Sequence, residues 1–192
     1  ALRVIVDKYI GEIAQGDKTV VEDVVEAYTA TKILAQQGEL ADGANQRPHF
    51  SIRTLSRALS SAHQLVSSFG LRRSLYESFL LCFTMGLDIS SVLKLIDIIT
   101  QQFIATARNA KQIMTVIPKA PAGGEHVQFG HFWLRTGPLV PEHSPSYILT
   151  PSVHAKLLSL ARAIAIGRFP VLIQGPTSAG KTSAIEYLAK RT

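Results

Sequence analysis

Phe169-Pro-Val-Leu-Ile-Gln174 runs without interruption into Gly175-Pro-Thr-Ser-Ala-Gly180-Lys181-Thr182. The first six residues form a short apolar run, as a buried parallel strand requires. The next eight match G-x-x-x-x-G-K-[ST] at every fixed position. Each fixed residue type has a chemical reason. Glycines allow a tight turn that aims backbone N–H groups at phosphate oxygens, and Lys181 reaches the β- and γ-phosphates as a point charge. The Thr182 hydroxyl is suited to ligate magnesium, with Ser183 beside it. A helix is predicted over Lys181–Lys190, and the positive end of its dipole faces the same phosphates. Gly175, Pro176, Thr177, Ser178, Ala179, Gly180, Lys181, Thr182 and Ser183 are therefore the candidate contacts for ATP or ADP, with Thr182 as the Mg2+ ligand. The bland alternative is a glycine turn followed by a surface lysine.

Working outward, Thr150-Pro151 supplies an N-cap followed by proline at the first helical position. The helix it opens places Val153, Leu157, Leu160, Ala161 and Ile164 on one face and ends at Gly167. Val127–Leu139 mixes aromatics with glycine and reads as short extended pieces. Pro118-Lys-Ala-Pro-Ala-Gly-Gly124 cannot sustain a helix and marks a boundary.

Everything before that boundary reads as helix after helix. Leu2–Ala14 places Ile5, Tyr9, Ile10 and Ile13 together. Thr19-Val-Val-Glu22 has capping-box spacing and opens a helix expected to stop at Gly38. Ser51 has the chemistry of an N-cap for a helix burying Ile52, Leu55, Leu59, Ala62, Val66 and Phe69, ended by Gly70. Further helices are predicted at roughly 71–86 and 89–117.

Composition limits the partners. The chain has 192 residues with 46% apolar and 18% charged residues, so a core is easily built. Residues 1–46 carry eight acids and four bases, whereas residues 47–192 carry six acids and sixteen bases. The basic remainder favours an anionic partner, either nucleotide phosphate or RNA, while its scattered bases argue against sequence-specific nucleic acid binding. Cys82 is the only cysteine, which excludes an intramolecular disulfide and a Cys-based zinc cluster. It lies in Phe79-Leu-Leu-Cys-Phe83, the setting of an inert core thiol. His49, His63, His126, His131, His143 and His154 have no acid or cysteine at ligand spacing and read as loop or core histidines. The charge-free apolar stretch Ser78–Leu87 is about half the roughly 20 residues a membrane helix needs. A soluble intracellular protein without a membrane partner is expected, and a piece of a longer one.

Several segments together resemble the midasin family, the giant dynein-related AAA+ ATPases of large ribosomal-subunit assembly. They are Gly130-His-Phe-Trp-Leu-Arg135, Tyr147-Ile-Leu-Thr-Pro-Ser-Val153, Leu160-Ala-Arg-Ala163 and Gly167-Arg-Phe-Pro170, leading into the phosphate loop. Upstream, Gln46-Arg-Pro-His-Phe-Ser-Ile-Arg-Thr-Leu-Ser-Arg-Ala-Leu59 is similar to the helical lid of an AAA+ module. The resemblance implies a mainly α fold with an α/β P-loop start: a helical lid over residues 1–117, a linker over 118–128, and the beginning of the next large subdomain over 129–192. It implies ATP hydrolysis by the whole protein, neighbouring AAA+ modules in the same chain, and action on pre-60S particles and their assembly factors in the nucleolus and nucleoplasm. It also points to Arg53 as a catalytic-site residue alongside Lys181. In Ser51-Ile-Arg53-Thr-Leu-Ser-Arg57 the first arginine resembles the sensor of AAA+ lids, whose guanidinium can fork onto phosphate oxygens. An ordinary helix-surface arginine is the competing reading. Among the 192 residues no acid pair follows the loop, so Walker B and arginine-finger roles are not assignable. Another AAA+ relative (a dynein motor or a MoxR-type chaperone) and a nucleotide-stabilised scaffold docking on ribosomal particles stand as alternatives. Phe129, Phe132 and Trp133 are open to two readings, adenine stacking or packing.

Overall fold

The computed structural model describes every residue except Gln15, Thr106, Arg108 and residues 143–146. It divides into two compact units, Ala1–Val116 and Ile117–Thr192. The chain is mainly helical.

The first unit holds α1 (Leu2–Ile10), α2 (Val20–Gln37), α3 (Ile52–Phe69), α4 (Leu71–Thr84) and α5 (Ile89–Thr100). A π-helical turn (Gln101–Ala105) and the short α6 (Ala110–Thr115) follow. The punctuation is chemical. Gly38 adopts φ 76° and ψ 19°, and its N–H donates to the Ala35 carbonyl while that of Glu39 donates to Leu34, satisfying the last carbonyls of α2. Asp88 caps α5 by accepting from the Ser91 N–H at 2.8 Å.

Helix α4 is the centre of this unit. It is buried over the whole run from Arg73 to Leu80, so it is surrounded rather than amphipathic. Phe79 stacks on Phe83 with centroids 4.8 Å apart and meets Phe103 edge-on at the same separation. Phe50 tilts against Phe83. This central position forces two charges inside: Arg73 and Glu77, one turn apart, form an ion pair at 2.5 Å with side chains 4% and 0% exposed. Arg73 also donates to the Met114 carbonyl at 3.1 Å, tying α4 to the end of α6.

Three expectations for this unit are corrected. The Thr19–Glu22 capping box does not form; the Thr19 hydroxyl donates to Asp23 and accepts from the Arg72 guanidinium instead. Arg72 forks onto Asp17 at 2.5 and 3.0 Å and reaches Asp23 at 2.7 Å, so a charge from α4 outbids the local cap. The helix expected over 89–117 is broken, because the π-helical turn buries the adjacent Phe103 and Ile104. Its Gln102 and Phe103 carbonyls accept from Arg72 at 3.3 and 3.5 Å. On α3 the buried face is Leu55, Ala58, Leu59, Ala62 and Leu65, while Ile52 in the first turn is 42% exposed.

The second unit contains β1 (His126–Phe129), β2 (Phe132–Arg135), α7 (Pro151–Ile166) and α8 (Lys181–Arg191). The strands pair antiparallel with Phe129 opposite Phe132. Gly130, at φ 61°, takes the first central position of the two-residue turn, where a type II′ geometry demands glycine. A Cβ there would also lie 2.5 Å from Leu158 Cδ1. Thr150 caps α7 through its hydroxyl, which accepts from Val153 N–H at 3.3 Å, and Gly167 ends it at φ 61°. The buried face of α7 is Leu157, Ala161, Arg162, Ala163 and Ile166, so Ile164, expected inside, is exposed. Arg162 is accommodated by stacking over the Phe132 ring.

Phe169–Gln174 is not a buried strand in this structure. Leu172 is 89% exposed and Val171 45%. A strand exists only through its ladder partners, and the two strands among the described residues pair with each other.

Candidate nucleotide-phosphate site

The site is built from the turn between residue 174 and α8. Gly175 and Pro176 lead into it, and the lining of its concavity begins with Thr177, Ser178 and Ala179. Gly180 at φ 75° and ψ 20° hands the chain into the helix. Ser178 is also left-handed, at φ 64°. These two turns curl the backbone around a concavity of about 290 Å³ lined by residues 177–183. Gly180 brings no side chain to cap α8, so the N–H groups of its first turn, in residues that line this space, have no side-chain cap.

Lys181 is the first residue of α8. Its ammonium donates to the Gly175 carbonyl at 2.9 Å and the Pro176 carbonyl at 2.6 Å. The cation is thus held across the loop by backbone carbonyls, and among the described residues no carboxylate pairs with it. Thr182 and Ser183 follow on the exposed first turn. The arrangement collects one ammonium, backbone N–H groups and the positive end of an 11-residue helix. Its chemistry is the binding of an oxyanion.

The donor set also bears on magnesium. Mg2+ keeps several waters and takes few protein ligands when phosphates supply the rest. A single hydroxyl, Thr182, fits that role. Among the described residues no group of three or more His, Cys, Asp or Glu residues gathers around a metal position.

Arg53 stands exposed on the first turn of α3, one turn before Arg57. Ser51 occupies the N-cap position with extended backbone and makes no side-chain cap. No acid occurs anywhere between Gly43 and Tyr76, so the start of α3 is positive on its own sequence. Arg53 belongs to the first unit and Lys181 to the second.

The weaker candidates settle as structural groups. Burial pushes the Cys82 thiol up to about 11, which leaves it protonated and unreactive at neutral pH. Phe129 and Phe132 are buried, 7% and 1% exposed, and pack rather than offer a free face. Half-buried Trp133 donates its indole N–H to the Pro118 carbonyl at 2.7 Å, within the stretch read as a linker. His154 stacks on Phe129, His131 lies against Phe132, and the His126 ring meets the Gly124 carbonyl. His143 lies outside the described residues.

Sequence reasoning missed two groups. The Arg72 cluster joins residues some fifty positions apart, and nothing in the dipeptide Arg72-Arg73 announces it. The Arg73–Glu77 pair carried a readable signal, since the two are four residues apart on a helix.

Residues 1–106 match the family model of the midasin AAA lid domain. Over 185 residues the chain is 38% identical to Midasin of Dictyostelium discoideum, covering 90% of this chain and 3% of that protein. Over 187 residues it is 33% identical to Midasin of Giardia intestinalis, covering 88% of this chain and 4% of that protein. The chain belongs to the midasin family. It is an AAA+ protein, and the helical first unit is where the lid match falls. Nucleotide binding is general to such AAA+ proteins. The chain spans a few per cent of the length of these curated relatives. Among the described residues no helix is long and apolar enough to cross a membrane.

Proposed function

We propose that residues 175–183 are the Walker A loop of an AAA+ module and hold the phosphates of ATP or ADP. In this reading residues 1–117 are the lid of the preceding module, and residues from 129 begin the next large subdomain. The observation that carries it is the loop itself. Lys181 and the uncapped first turn of α8 converge on one concavity at the motif position, in a chain of the midasin family. Backbone N–H groups bind the phosphate oxygens, Lys181 neutralises the β- and γ-phosphates, and the helix dipole favours the anion. Thr182 would hold Mg2+, which supplies further charge neutralisation on the phosphates when bound. Arg53, at the start of a lid helix, is read as a phosphate sensor for the nucleotide of one of the AAA+ modules in the chain. A guanidinium at the start of a rigid helix converts a phosphate contact into a rotation of the lid.

Whole-protein function follows as a proposal from the family. A ring of such modules in one chain uses ATP hydrolysis to release assembly factors from pre-60S particles, in the nucleolus and nucleoplasm. The test is ATP turnover by the intact protein with and without pre-60S particles, for wild type and Arg53→Ala. Turnover that rises with particles and falls at least several-fold in Arg53→Ala supports the reading. Turnover indifferent to both contradicts it and favours a scaffold that binds nucleotide structurally.

A further inference from the structure

The chain passes from the first unit to the second after Val116, and it is tied down close to that point on either side. Upstream, the Met114 carbonyl on α6 accepts from Arg73 at 3.1 Å, and Arg73 is itself buried in α4, the centre of its unit. The Val116 N–H closes α6 by donating to the Gln112 carbonyl at 3.0 Å. Downstream, Pro118 is buried, and its carbonyl accepts from the Trp133 indole on β2 at 2.7 Å. Val116 and Ile117, 50% and 53% exposed, are all that lies between the end of α6 and that anchor. Their chemistry is stiff. Both are β-branched, the proline that follows keeps Ile117 out of the helical region, and the proline ring fixes its own φ.

The glycine-containing stretch after Pro118 supplies no slack between the units. It starts at the residue held by Trp133 and ends where the Glu125 carbonyl accepts from the Thr136 N–H at 3.0 Å, directly after β2. Both of its ends are fixed to the same part of the second unit. Residues 119–124 therefore close a loop within that unit, exposed throughout, whose length does not alter the path between units. We propose that Val116-Ile117 is a stiff joint that carries movement of the helical unit into the unit bearing the phosphate loop, with Arg73 and Trp133 as the positioning residues at its two ends. A short connection with restrained dihedrals passes on a rotation, whereas a flexible one rich in glycine and serine absorbs it. The proposal deepens the lid reading above and rests on it. It names the segment through which a rotation of the lid reaches the next subdomain, and it places that segment ahead of residues 118–128.

The experiment measures ATP turnover by the intact protein, together with photoreactive-ATP labelling of residues 175–183. Compared with wild type are a Gly-Ser-Gly-Ser insertion between Val116 and Ile117, the same insertion between Ala122 and Gly123, Val116→Gly with Ile117→Gly, and Trp133→Phe. The joint insertion and the double glycine variant lower turnover several-fold while labelling of the loop persists, since binding is local and only transmission is lost. The insertion after Ala122 keeps turnover near that of wild type. Trp133→Phe keeps an aromatic ring but no N–H, so it lowers turnover in the same direction and speeds hydrogen exchange at the Ile117 and Lys119 amides. Joint variants or Trp133→Phe that match wild type, or an insertion after Ala122 as damaging as the one after Val116, overturn the proposal. Loss of labelling in the joint variants overturns it too, because the fault then lies in nucleotide binding. Arg53→Ala judges the lid reading separately. Turnover that falls in Arg53→Ala but not in the joint variants leaves the lid reading standing and removes the joint, and turnover unaffected in both removes both. Unchanged hydrogen exchange over α4 and β2 verifies that each variant is folded.

Discussion

Lys181 and Thr182 are adjacent but do different work, and variants can separate them. Thr182→Ala removes a hydroxyl suited to Mg2+, so the gain in nucleotide affinity that magnesium confers should vanish while metal-free binding persists. Ser183→Ala should leave that gain nearly intact; the check is ADP titration with and without Mg2+. At the same scale, Asp17 has its carboxyl held below the usual carboxylate range, first by the hydrogen bond from Arg72. A depressed pKa in the folded state stabilises the protein at pH values above the ordinary carboxylate pKa, and that contribution is lost as pH falls through the folded pKa. Asp17→Asn should therefore lower the melting temperature at pH 7, by the equivalent of about 1–2 kcal/mol for a partly exposed, charge-assisted pair. The difference from wild type should shrink as pH falls below about 4. A difference that stays constant with pH would show that the Asp17–Arg72 pair is not its source. The motif residues were readable because their spacing is local and chemically constrained. Arg72 was not, because its partners come from elements far away in sequence.

At the scale of elements, glycine and cap signals located most ends. Gly38, Gly70 and Gly167 stop helices where the sequence placed them, and Thr150-Pro151 opens α7. Two departures share a cause, tertiary contacts that override local preference, and a third is the lack of such contacts. Arg72 diverts Thr19 from its cap, the π-helical turn interrupts the last long helix, and Phe169–Gln174 lacks ladder partners among the described residues. The Arg73–Glu77 pair offers a test of energetics at this scale. Glu77→Leu alone leaves a buried guanidinium without its ion partner and should cost about 3–5 kcal/mol. The double variant Arg73→Met with Glu77→Leu should recover most of that loss, since well-packed apolar replacement of a buried pair is often neutral. Denaturant unfolding measures both, and a double variant as unstable as Glu77→Leu would contradict this. In the second unit, Gly130→Ala meets both the positive φ and Leu158 and should cost about 1–3 kcal/mol.

For the whole molecule, the central claim is that the second unit carries a nucleotide-phosphate site and the first the lid of an AAA+ module. The lid was legible because its family pattern is carried by a continuous helical stretch, and the family match covers residues 1–106. The loop was legible from eight residues, but its left-handed serine was not, since a serine at that position does not by itself announce positive φ. The only acid after the loop is Glu186, so this 192-residue chain by itself should hydrolyse no ATP above background. Activity that follows the purified chain and disappears in Lys181→Ala would contradict that. The most direct measurement is nucleotide occupancy at this loop in the intact protein, wild type against Lys181→Ala, read by cross-linking a photoreactive ATP and mapping the labelled segment. Labelling of this module that is lost in Lys181→Ala, with labelling elsewhere retained, is the predicted result. Labelling unchanged by the substitution would contradict the assignment of Gly175–Thr182 as the phosphate site.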